Sequence, residues 1–173
     1  AQATAHLLDL GHRAIAHISG PVPEVMSVGR AAGWRGALMA AGLDVDDRLE
    51  VWGDFSLAAG EAAVDELFAR GVPFTAIFAA NDEMAVGAIN RLRAHGLDVP
   101  GDVSIVGFDD TIFAVASNPP LTTIRQPQRQ IGVEVMRMMI ARLANRLEPD
   151  VSVVVPTELV IRASTRRPTV PLP

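Results

Sequence analysis

Thr75-Ala-Ile-Phe-Ala-Ala80-Asn81-Asp82 and Val103-Ser-Ile-Val-Gly107-Phe108-Asp109-Asp110 decide the fold. Each is a short apolar run that breaks off into acid or amide groups, with helical patterning before and after it. Runs of this kind read as parallel strands buried on both faces. In open α/β sheets the ligand sits beyond the carboxyl ends of such strands. The reading therefore sets Asn81 and Asp109 side by side at one sheet edge, as hydrogen-bonding groups aimed at a polar molecule of small size.

Outward from these two runs the chain repeats one unit, an apolar strand, a polar loop and a helix stopped by glycine. Ala14 to Ser19 reads as the first strand. Its helix, from about Val28, carries Ala31, Trp34, Leu38 and Ala41 on one face and stops at Gly42. Leu49 to Trp52 is the second strand, and Ser56 is placed to cap a helix whose buried stripe is Leu57, Gly60, Val64, Leu67 and Phe68. The helix from Asp82 to His95 turns Ala85, Ala88, Ile89 and Leu92 inward, and Asp82 and Asp110 read as helix N-caps. Such β-α alternation gives an α/β fold, a parallel sheet with right-handed crossovers and helices on both faces. Beyond Gln126 the pattern changes. A long helix from Gln128 to about Arg146 is apolar on more than one side, with Ile131, Val135 and Met138 on one stripe and Met136, Met139, Ile140 and Leu143 on another, so it expects cover from more than one direction. A strand Val151 to Val155, a break at Pro156, a strand Leu159 to Arg162 and a fraying tail from Pro168 complete the reading.

Composition narrows the class. The chain has 173 residues, 49% hydrophobic and 20% charged, which suits one compact unit and is neither disordered nor membrane-spanning. A net charge of −5 argues against this piece gripping a phosphate backbone. The absence of cysteine excludes disulfides and thiolate chemistry. His6, His12, His17 and His95 lack metal-ligand spacing, His17 reads as a core or edge histidine, and neither a metal nor a cofactor is expected. Trp34 and Trp52 read as packing residues. Phosphate-loop, dinucleotide-loop and nucleophile-elbow motifs are missing, and Asp109 and Asp110 as neighbours diverge too far to act as an acid/base pair, so no enzyme is expected. The chain opens Ala1-Gln2 without an initiator Met, and Ala3 to Leu10 reads as the back end of a helix closed by Gly11, so a preceding segment is expected.

Taken in order, His6-Leu-Leu-Asp-Leu-Gly-His-Arg13, Gly20-Pro21, Arg30-Ala-Ala-Gly-Trp34, Gly53-Asp-Phe55, Ala80-Asn-Asp-Glu-Met-Ala85, Val99-Pro-Gly-Asp-Val-Ser-Ile-Val-Gly-Phe-Asp-Asp110, Pro120-Leu-Thr-Thr-Ile-Arg-Gln126 and Arg162-Ala-Ser-Thr165 resemble the lactose-repressor/galactose-repressor family of bacterial transcription regulators. The resemblance covers nearly the whole chain. It implies a protein about twice as long, with a helix-turn-helix, a hinge and a two-lobed sensor like the periplasmic sugar-binding proteins. On that reading residues 1–126 and 156–167 are the C-terminal lobe, 127–155 crosses over to complete the other lobe, and 168–173 is a tail. Exposure of Ile131, Val135, Met138, Met139 and Ile140 in this piece alone is then expected, unless something else covers them.

Carried over residue by residue, the resemblance puts effector contacts at Arg30, Phe55, Asn81, Asp109 and Gln126. The residue types suit a sugar or nucleoside-like effector. Arg30 offers a planar fork of donors, Asp109 accepts from hydroxyls, Asn81 does both, and Phe55 supplies a flat apolar face. The resemblance also implies a homodimer through Val86, Ile89, Asn90, Phe113 and Ala116, a cytoplasmic protein without membrane contact, and operator DNA bound only through a domain outside this sequence. A periplasmic sugar-binding protein of a transport system is the alternative, and a catalytic α/β domain a third.

Overall fold

A computed structural model describes residues 1–144 and 151–169 of the chain. Among them run α1 (Gln2–Asp9), β1 (Ile15–Ser19), α2 (Val25–Ala40), β2 (Glu50–Trp52), α3 (Leu57–Ala69), β3 (Ala76–Ala79), α4 (Asp82–Ala94), β4 (Ser104–Asp109), α5 (Ile112–Ala116), β5 (Thr122–Arg125), α6 (Gln128–Leu143) and β6 (Glu158–Val160). The strands form one six-stranded sheet in the order β2-β1-β3-β4-β5-β6, parallel except for the antiparallel β5–β6 pair. This is the α/β fold read from the sequence, a mostly parallel sheet with flanking helices. β1 and β3 are buried along their whole length, which is why β3 appears in sequence as an unbroken apolar run and β1 as one interrupted only by the buried His17 and Ser19.

The predicted inward faces hold at most positions of the helices that cover the sheet, but Ala41, beyond the end of α2, is exposed and Leu57 is only half-buried. Ala31, Trp34 and Leu38 of α2, Val64 and Leu67 of α3, and Ala85, Ala88, Ile89 and Leu92 of α4 are all buried. Ser56 caps α3, its hydroxyl accepting from the Ala59 N–H at 3.1 Å. Helices α3 and α4 pack at backbone contact through a pair of glycines. A Cβ on Gly60 would lie 2.1 Å from the Met84 carbonyl oxygen, and one on Gly87 would lie 2.1 Å from that of Leu57. Each glycine thus admits the other helix's main chain, and the pair fixes the position of the α4 N-terminus, where the site begins.

Several expectations are corrected. β5 and α5 were not read from the sequence, and β4 continues past Gly107 to Asp109 because Phe108 and Asp109 still pair with Ile124 and Arg125. No strand forms over Val151 to Val155, which has only exposed or half-buried residues and no ladder partner. Asp82 is not the cap of α4; Asn81 is, its Oδ1 accepting from the Met84 N–H at 2.9 Å. Asp110 caps nothing either, since Thr111 stands at the N-cap position of α5. Phe68 and Trp52 are exposed, not packed within the core. The end of the expected helix at Arg146 and most of the tail lie outside the described residues.

His17 is a core histidine, stacked on Phe78 and on Trp34 at centroid distances of 4.7 and 5.6 Å. Its Nδ1 meets the Phe78 carbonyl at 2.8 Å, and burial lowers its pKa to about 4, so the ring is neutral at physiological pH. The C-terminal segment re-enters the fold after β6. Ser164 is fully buried, its hydroxyl donating to the Ile105 carbonyl at 2.6 Å and accepting from the Thr122 N–H at 2.8 Å. It thereby links β4 to β5.

Candidate functional site

The carboxyl ends of the strands open into a cleft of about 320 Å3 lined by Met26, Arg30, Phe55, Asn81, Asp109, Thr111, Gln126 and Gln128. All five residues singled out as effector contacts are in this one cleft. They arrive from five places in the chain: α2, the β2–α3 loop, the β3–α4 junction, the end of β4 and the residue after β5. Parallel topology makes such convergence possible, because β1 to β5 all end on the same side.

Arg30 is not a solvated surface residue. Its side chain is 11% exposed, its Nη1 donates to the Ala80 carbonyl at 2.5 Å, and its guanidinium lies 3.9 Å above the centroid of the Phe108 ring. Its Nη2 reaches Asp109 Oδ1 at 3.4 Å. The same oxygen accepts from Gln126 Nε2 at 2.5 Å. Burial pushes the Asp109 pKa up, while the Arg30 charge and the Gln126 hydrogen bond pull it back, with a net rise. One carboxylate, one guanidinium and one amide thus meet around a single point, with lone pairs and N–H groups left over for a ligand.

Phe55 adopts a left-handed backbone, φ 72, and its carbonyl accepts from Asn81 Nδ2 at 2.8 Å. Asn81 therefore ties the aromatic residue to the start of α4 with one end of its amide and caps that helix with the other. Beneath the ring lies Gly20, where an added Cβ would come within 2.3 Å of the Phe55 ring and 2.5 Å of Ser27 Oγ. Gly20→Ala is expected to push the ring out of its seat and weaken ligand binding several-fold, as calorimetry on the full-length protein would read, with the thermal midpoint lowered much less.

Residues that sequence reasoning missed complete the frame. Asp82 is 1% exposed; its Oδ2 accepts from the N–H and hydroxyl of Thr111 at 2.7 and 3.1 Å, and its Oδ1 accepts from Thr123 Oγ1 at 2.5 Å. Burial pushes its pKa up, partly offset by these hydrogen bonds, and Asp109 nearby adds to the rise. It joins α4 to the turn after β4 and to β5. Asp110 has a side chain 8% exposed between Arg162 and Arg125, whose Nη2 and Nε donate to it at 2.5 and 2.6 Å. Burial acts to raise its pKa, but the two arginines prevail and lower it. The paired polar groups that follow β3 and β4, Asn81-Asp82 and Asp109-Asp110, were visible as a pattern; the role of the second member of each pair as a buried strut was not. A separate apolar depression lined by Leu67, Phe68, Val72 and Phe74 opens at the amino ends of the strands and lacks such convergent polar groups.

Residues 4–165 match the model of a family described as periplasmic binding protein-like domain. The chain belongs to that family. It is 42% identical over 163 residues to the HTH-type transcriptional regulator CelR of Thermobifida fusca, a match covering 94% of this chain and 48% of that protein. It superposes on the structure of the CelR–cellobiose complex with a TM-score of 0.90 at 42% identity, covering 94% of this chain and 50% of that one. The dimeric Lac repressor with an 11-residue C-terminal deletion gives a TM-score of 0.88 at 33% identity, over 96% of this chain and 60% of that one. These relatives bear out the resemblance to the lactose-repressor/galactose-repressor regulators, which are not enzymes, and they give no support to the transport alternative. The chain spans about half the length of the curated relatives it matches.

Proposed function

We propose that this chain is the effector-sensing and dimerising part of a bacterial transcriptional repressor that binds a small sugar-class ligand. Residues 1–126 and 156–167 serve as one lobe of the sensor, 127–155 crosses to the other, and operator DNA is held by a helix-turn-helix outside this sequence. The observation that carries the reading is the convergence of Arg30, Phe55, Asn81, Asp109 and Gln126 on one cleft. An ionised carboxylate flanked by a guanidinium and an amide recognises vicinal hydroxyls, and an aromatic face covers the C–H side of a sugar ring. No helix among the described residues is long and apolar enough to cross a membrane, and the named relatives regulate transcription, so the proposed setting is the cytoplasm.

The ligand acts by favouring one arrangement of the two lobes over another, which changes the spacing of the DNA-binding heads. Calorimetry of the full-length protein against cellobiose, other mono- and disaccharides and nucleosides tests the proposal, paired with release from operator DNA by the binder. Saturable binding that shifts operator affinity is expected. Absence of any such binder, or turnover of a bound one, would overturn it.

For the dimer, Val86, Asn90, Phe113 and Ala116 remain candidates, being exposed or half-buried along α4 and α5. Ile89 does not: it is 1% exposed and packed against the sheet within its own subunit, so it is withdrawn from the contact. Exposed Ile112, Phe113 and Val115 give α5 a dense apolar surface suited to association. Val86→Asp combined with Phe113→Asp is expected to yield a monomer in sedimentation; persistence of the dimer would place the contact elsewhere.

A further inference from the structure

Asp109 and Asp110 are consecutive non-glycine residues with left-handed backbones, φ 108 and φ 57. Aspartate tolerates that region better than most side chains, yet two in succession need restraint from outside the turn. The restraint is visible at Asp110. Its buried carboxylate is held by two arginines that differ in kind. Arg125 is 47% exposed and also pairs with Glu158 at 3.6 Å. Arg162 is 17% exposed and anchored at both ends: its Nη1 donates to the Leu121 carbonyl at 2.7 Å and its backbone N–H to Thr122 Oγ1 at 3.0 Å, while Nη2 holds Asp110. Arg162 lies outside the residues that line the cleft. The first acid of the turn, Asp109, carries the carboxylate that meets Arg30 and Gln126.

We propose that Arg162 is a positioning residue for effector binding: by gripping Asp110 it holds the turn after β4 left-handed and so aims the Asp109 carboxylate into the cleft. The guanidinium fork matters because one end is fixed to the main chain just before β5 while the other holds the carboxylate, which a single-point ammonium does not reproduce. The role rests on the reading of the cleft as a ligand site, but the conformational claim stands apart from the ligand's identity.

The test separates conformation from charge, using the full-length protein. Arg162→Met removes the anchored hold on Asp110 and leaves only the half-exposed Arg125, and Asp110→Ala removes both. Asp110→Gly also removes both, yet glycine takes a positive φ without help. Crystal structures of these variants are expected to show residue 110 leaving the left-handed region, and Asp109 parting from Gln126, in Arg162→Met and Asp110→Ala but not in Asp110→Gly or in the Arg162→Met, Asp110→Gly double variant. Cellobiose titration is expected to show affinity down about tenfold or more in the first two and near wild type in the last two, on the scale of one charge-assisted hydrogen bond misplaced. If Arg162→Met fails to fold, Arg162→Lys replaces it, with a smaller change in the same direction. An unchanged turn in Arg162→Met or Arg162→Lys, or Asp110→Gly as displaced as Asp110→Ala, overturns the proposal. If wild type does not bind cellobiose, the choice of that sugar fails while the turn geometry still decides the role of Arg162.

Discussion

Asp109→Ala in the full-length protein is expected to weaken effector binding by about 1.5–3 kcal/mol, a loss of roughly ten- to over a hundredfold, the range for hydrogen bonds to a charged group. The carboxylate is the one anionic group among the cleft-lining residues, and its removal also leaves the Arg30 guanidinium without its partner in a largely buried position. Dimerisation should change little, because Asp109 does not reach α5's exposed face, whereas the thermal midpoint should fall, because Arg30 loses its buried partner and alanine is strained at φ 108. Asp109→Asn keeps the shape and removes the charge, and is expected to fall between wild type and alanine.

The same residue gives the binding a pH dependence whose sign is fixed. Burial raises the pKa of Asp109 in the free protein, and ligand hydroxyls that donate to the carboxylate favour its ionised form and draw that pKa down. The ligand therefore binds the ionised state better. Affinity should be flat above the raised pKa and fall as the pH drops through it, at a pH higher than an ordinary aspartate would give. Calorimetry over a pH series reads this directly, and Asp109→Asn should abolish the dependence. A wild-type affinity that is level down to the ordinary carboxylate range would contradict the assignment of Asp109 as a ligand group.

Much of this site was legible in the sequence because its scaffold is written in local patterns. Buried parallel strands appear as apolar runs, and the polar residue that ends a run falls at the sheet edge whatever the loop does next. Asn81 and Asp109 could be placed together on that ground alone. What could not be read was pairing across distance. Asp82 and Asp110 look like caps because a cap is the commonest local use of an acid before a helix; their actual partners, Thr123 and Arg162, lie 41 and 52 residues away. β5 escaped for a related reason. Thr122 and Thr123 are polar yet buried, satisfied by Ser164, Thr165, Arg162 and Asp82 through contacts that no periodicity announces. In sequence Ile89 fits both the inward stripe of α4 and the dimer contact, and only its burial separates the two.

The other large effect concerns α6. None of its residues is buried, and Val135, Met136, Met139 and Ile140 are each more than half exposed. Burying one such side chain is worth about 1.5–3 kcal/mol, so a helix that keeps several of them wet lacks a partner surface. On the proposed domain division that partner is the second lobe, which also supplies the far wall of the cleft. Two results follow. In the full-length protein, amides of Gln128 to Leu143 should be strongly protected from hydrogen exchange, whereas in residues 1–173 expressed alone they should exchange quickly. The isolated piece should also bind the effector on the order of a hundredfold or more weakly, since several hydrogen bonds at about 1 kcal/mol each would be missing from the far wall. Met136→Asp with Ile140→Asp provides the reciprocal test: it should loosen the full-length sensor and lower its thermal midpoint while leaving the isolated piece unaffected. Strong protection of α6 in a monomer of residues 1–173, together with full effector affinity, would mean that this lobe is a complete sensor and that α6 has no second lobe to meet.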